Sequence, residues 1–145
     1  MMLLLLRSAT ALALLAGTGL ADMEKVKAES NPERRSDLAL AHADEELTVA
    51  RKAYDDGEIA TFSNSLKEVA ELAQLSLESL DSTGKRARRN PRFWKRAEQK
   101  LMLLLRRLDG LEKSVSIDDR ALVGTVRKTV SETHEAILNA IMTKK

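Results

Sequence analysis

WKRAEQKLMLLLRRLDGLEKSV, residues 94–115, decides the fold. Trp94, Ala97, Leu101, Leu104, Leu108, Leu111 and Val115 recur at alternating spacings of three and four, the repeat of a helix with one apolar face. Immediately upstream stands Asn90-Pro91, a cap followed by a residue whose missing N–H costs nothing in a first helical turn.

Working outward, Asn31-Pro32-Glu33 repeats that device and opens a helix with Leu40, Ala43, Leu47, Ala50 and Tyr54 on one face, ended at Gly57. A second stripe runs through Ile59, Phe62, Leu66, Val69, Ala73 and Leu80, and Asp81-Ser82-Thr83-Gly84 breaks it. Beyond Val115, Ser116 reads as a cap, with Asp118 and Asp119 in the first turn of a helix that buries Val123, Val126, Val130, Thr133, Ile137 and Ala140. No strand alternation appears. The four helices, each roughly 23–26 residues or about 35–39 Å long, have matched lengths and mostly short connections. The expected fold is all-α, an up-down-up-down four-helix bundle over residues 31–145.

The bundle is preceded by a segment of another kind. MMLLLLRSATALALLAGTGLA, residues 1–21, carries Arg7 and an apolar run from Ala9 to Leu20, with small residues Gly19 and Ala21 before Asp22. That pattern predicts a signal peptide, followed by a polar linker at 22–30. The chain has no Cys, which excludes disulfides and a lipidated N-terminal Cys, and it has no Asn-x-Ser/Thr acceptor. An exported bacterial protein, periplasmic or secreted, fits these features, with its fold resting on an apolar core alone.

Chemistry is hard to find. His42 has Glu45 and Glu46 nearby, and His134 lies between Glu132 and Glu135. A di-iron bundle needs Glu three residues before each His, but those positions are Ala39 and Ser131. The histidines therefore read as exposed or half-buried, with no metal and no cofactor. There is no nucleophile turn and no phosphate-binding glycine loop, and the acid pairs Asp55-Asp56 and Asp118-Asp119 fall at helix ends. An enzyme is not expected.

Charge is distributed unevenly. Residues 33–81 hold 12 acids against 5 bases, whereas residues 85–107 hold 10 bases against 1 acid. Lys85, Arg86, Arg88, Arg89, Arg92, Lys95 and Arg96 are the candidate contact residues for an anionic envelope component or an acidic protein. Cations in a first helical turn oppose the helix dipole, so the sequence implies a compensating anion, internal or external. In an up-down-up-down bundle the start of the third helix shares one pole with the start of the first, the end of the second and the C-terminus, which makes that pole basic. Glu33, Asp37, Glu78, Asp81 and Glu98 are the internal candidates there. With aromatics at 3% there is no stacking platform for nucleic acid, while peripheral membrane contact remains open.

The same region, RRNPRFWKRAEQK followed by LLRRLDGL, resembles short exported bacterial all-helical proteins of unknown function. The resemblance implies an exported helical protein and no mechanism. The Leu-Thr-x-x-Gln repeats of small periplasmic helical chaperones are absent: Leu47-Thr48 continues into Val-Ala-Arg. The alternative expectation is a structural, oligomeric or tetratricopeptide-like interaction module without an anionic ligand. The stretch AYDDGEIATF has tetratricopeptide-like spacing, and a homo-oligomer could use the surplus leucines Leu72, Leu75, Leu77, Leu103 and Leu105.

Overall fold

The computed structural model describes residues 22–84 and 86–143. The expected signal peptide, Lys85, Lys144 and Lys145 lie outside the described residues. Five helices and no strand form among those described: α1 (22–28), α2 (Pro32–Asp55), α3 (Ile59–Asp81), α4 (Pro91–Ser114) and α5 (Ile117–Met142). The chain is thus an all-helical bundle.

The expected linker is mostly helix. Met23 and Val26, one turn apart in α1, are both 5% exposed and belong to the core. Asn31 then caps α2 as its identity predicts, its side chain accepting from the N–H groups of Glu33 and Arg34 at 3.0 and 3.1 Å. Arg35 fastens this entrance to the far end of α3. Its Nε donates to Ser79 Oγ at 2.9 Å, and its Nη1 donates to the Glu29 carbonyl at 2.9 Å.

Small side chains line α2, where Ala39, Ala43, Ala50 and Ala53 are all buried. They let the backbone of α3 approach closely, with Leu66, Val69, Leu72 and Ala73 filling the seam. Gly57 turns the chain between the two helices at φ +76°, a conformation that disfavours any Cβ. Across the core α4 contributes Trp94, Leu101, Leu104, Leu108 and Leu111, and α5 contributes Val123, Val126, Val130 and Ile137. Each such aliphatic side chain stabilises the fold by about 1.5–3 kcal/mol relative to exposure.

The helices alternate in direction, but their order around the bundle is not sequential. The packed seams are α2–α3, α4–α5, α3–α5 and α2–α4, which places α3 and α4 across a diagonal. Side chains confirm the directions. Arg107 late in α4 reaches Asp44 and Thr48 of α2 at 2.6 and 3.0 Å, and Asn90 at its start reaches Glu33 at 2.6 Å, so α2 and α4 run parallel. Arg127 of α5 meets Glu112 of α4 at 2.7 Å and His134 meets Glu98 at 2.9 Å, so those two are antiparallel. The α3–α4 connection, residues 82–90, therefore crosses the end of the bundle.

Several expectations are corrected locally. Ile59, assigned to the buried stripe of α3, is 49% exposed because it sits at the helix start beyond the seam. Asn90 makes no cap bond to α4, its amide being drawn instead to Glu33. Ser116 makes no side-chain cap bond either. Its hydroxyl donates to Asp119 at 2.8 Å, while its N–H donates to the Tyr54 hydroxyl at 2.8 Å. Of the surplus leucines, Leu72 is fully buried and Leu75, Leu77 and Leu105 pack against the core. Only Leu103, 56% exposed, stays outside.

Candidate functional site

The crossing connection spreads the basic segment over one end of the bundle. Arg86 and Arg89 close a turn in which the Arg86 carbonyl accepts from the N–H groups of Arg89 and Asn90 at 2.9 and 3.2 Å. Ala87, 4% exposed, tucks its methyl into the bundle, and the flanking arginines consequently face outward. Arg86, Arg88, Arg89, Arg92, Lys95 and Arg96 are all exposed. Beside them lies an open depression of about 470 Å³, bordered by Asp81, Arg86, Ala87, Arg88, Trp94 and Thr143.

The internal acids are largely engaged elsewhere. Asp37 is shared between Arg96 and Lys100, each at 3.5 Å. Glu98 faces His134, Glu33 accepts from Asn90, and Glu29 faces Arg34 at 3.7 Å. Glu78 and Asp81 form no ion pair among the described residues, and desolvation raises the Asp81 carboxyl above its usual range. Among the predicted contact residues the structure therefore pairs Arg96 with Asp37 and gives Arg88 a partner. Arg86, Arg89 and Lys95 have no ion pair among the described residues, and Arg92 has only the Phe93 ring, 6.0 Å away. The first turn of α4 holds no acid.

A second cluster lies in the middle of the α2–α3 seam, about 15 Å along α2 from its start at 1.5 Å per residue. His42 and Glu46, one turn apart, are each 7% exposed. This corrects the expectation of an exposed or half-buried His42. His42 Nε2 stands 3.7 Å from Glu46 Oε1, and Nδ1 stands 3.5 Å from Glu45 Oε2. Half-buried Glu68 enters from α3, so that one donor atom from each of His42, Glu46 and Glu68 falls within 4.8 Å of the others. Burial, reinforced by the charge of the Glu46 carboxylate and by hydrogen bonding between the two carboxyls, pushes the Glu68 carboxyl up to about 7, with His42 opposing and Glu71 adding. His42 Nε2 and Glu68 Oε2 are buried without a hydrogen-bond partner. Spacing within one helix could not reveal Glu68. The available signal was a polar residue flanking the apolar stripe of α3, opposite a His and a Glu that interrupt a row of alanines.

His134, half-buried, is accounted for by Glu98. No helix among the described residues is long and apolar enough to cross a membrane. No protein-family model, curated protein or solved structure matches the chain.

Proposed function

We propose that this chain is an exported, non-enzymatic helical-bundle protein that binds an anionic envelope component through its basic end. The observation that carries the reading is the set Arg86, Arg89, Arg92 and Lys95, exposed together on one end of the bundle and lacking ion pairs among the described residues. The apolar segment at 1–21, read as a signal peptide, and the resemblance to short exported helical proteins, sharpest over 88–108, support an exported location. Cations that face water and one another gain when an anionic surface displaces their counterions.

Anionic lipid vesicles test the reading, with zwitterionic vesicles subtracting whatever the apolar N-terminal segment contributes. Each Lys or Arg near such a surface is worth about 1 kcal/mol. Arg86→Gln/Arg89→Gln/Arg92→Gln therefore weakens binding by about two orders of magnitude, and raising salt weakens the wild type steeply. Salt-insensitive binding, absent binding, or equal binding by a folded variant would each overturn it.

A further inference from the structure

We propose that His42, Glu46 and Glu68 bind a divalent transition-metal ion, and that zinc suits the donor set. The site shares no residue with the basic end and does not depend on that reading. Its argument begins with donor chemistry. One imidazole nitrogen and two carboxylates are ordinary zinc ligands at about 2.0–2.2 Å, and the imidazole disfavours calcium and magnesium. The donor atoms lie within 4.8 Å of one another. A tetrahedral ion with arms of that length separates its ligands by about 3.4 Å, so rotation of the two long glutamate side chains closes the set without moving a helix.

The orphaned atoms are the independent observation. His42 Nε2 is buried, lacks a hydrogen-bond partner and stands 3.7 Å from the Glu46 carboxylate, with Glu68 completing the cluster. Buried polar atoms are nearly always satisfied, and leaving one bare is costly. A metal ion satisfies Nε2 and Glu68 Oε2 together. The outer nitrogen has a carboxylate within reach, since the exposed Glu45 lies 3.5 Å from Nδ1. A carboxylate in that position holds the tautomer whose Nε2 lone pair points inward, the usual support of a metal-bound histidine.

Charge balance agrees. A neutral imidazole, two carboxylates and a divalent ion sum to zero, which suits a seam where His42 and Glu46 are each 7% exposed. With ligands from two helices, the ion acts as a clamp on the α2–α3 hairpin. Three protein ligands leave a fourth position for water on the half-buried Glu68 side.

The test uses the full chain, purified without an affinity tag and stripped with chelator. Zinc is titrated by calorimetry, and cobalt is then substituted to read coordination from its visible spectrum. One zinc per chain, a higher melting midpoint with zinc, and a low-symmetry four-coordinate cobalt spectrum are expected. Glu46→Gln and Glu68→Gln each weaken zinc binding at least tenfold while circular dichroism stays unchanged. His134→Gln, which alters the other histidine, leaves binding intact. No saturable zinc binding in the micromolar range, binding that both glutamine variants retain, or binding lost in His134→Gln would each overturn the assignment. Glu68→Gln removes a charge from a partly desolvated place, so its folding is not at risk.

Discussion

Replacing Glu68 by glutamine tests the electrostatics of the α2–α3 seam with no metal present. In chelator-treated protein the Glu68 carboxyl is pushed from 4.5 up to about 7 by burial and by Glu46. Below pH 4.5 it is protonated in both the folded and unfolded states, and its ionisation costs the fold nothing. Between those values the folded state holds a proton that the unfolded state releases, so stability falls as pH rises. Above about pH 7 the whole cost is in place. At 1.36 kcal/mol per pH unit the displacement corresponds to about 3 kcal/mol. Glu68 is only half-buried, and water screening leaves about 1–2 kcal/mol. A glutamine side chain keeps the shape of the protonated acid and cannot ionise. The Glu68→Gln variant and wild type therefore melt together near pH 4, and the variant melts a few degrees higher at pH 8. Thermal circular dichroism across that range, with chelator throughout, reads the difference. A difference that does not grow between pH 4.5 and 7 would refute the reasoning.

Three further outcomes follow from packing and hydrogen bonding. Leu101→Ala, at a fully buried position, costs about 2–5 kcal/mol in urea unfolding. Leu103→Ala, two residues on and 56% exposed, stays within about 0.5 kcal/mol of wild type. Tyr54→Phe removes the acceptor for the Ser116 N–H and the donor to Asp119, at 2.8 and 3.1 Å, and lowers stability by about 1–2 kcal/mol. Asn31→Ala costs about 1 kcal/mol through a lost cap, whereas Asn90→Ala leaves the capping of α4 unchanged because Asn90 makes no cap bond there; paired denaturant midpoints compare them.

What was legible in the sequence was whatever a single helix records about itself. The stripe from Trp94 to Val115 is buried at every one of its seven positions, because alternating threes and fours keep one face inward whatever that face meets. Neighbour relations were not legible. Nothing in the stripes says that α3 and α4 sit diagonally, since a helix pattern fixes which side is covered and not what covers it. The same gap hid the His42 cluster, whose third ligand comes from another helix. Asn90 and Ser116 misled for a related reason, as both have tertiary partners that outcompete the local cap. The basic segment was legible as charge. Its place at one pole followed from the alternating directions of the helices, and the diagonal crossing that spreads it over the bundle end did not.

That crossing has a consequence for how two copies could entangle. Because the α2–α3 and α4–α5 hairpins are linked along the chain only through residues 82–90, straightening that connection would let each copy lend its second hairpin to the other with every seam rebuilt. Gly84, at φ +66°, bends the connection back and would be released. Exchange of this kind is an inexpensive route to dimers when a hinge permits it. Here the exchanged form would lay two copies of Arg86, Arg88 and Arg89 alongside each other. Their mutual repulsion, strongest at low ionic strength, weighs against the swap.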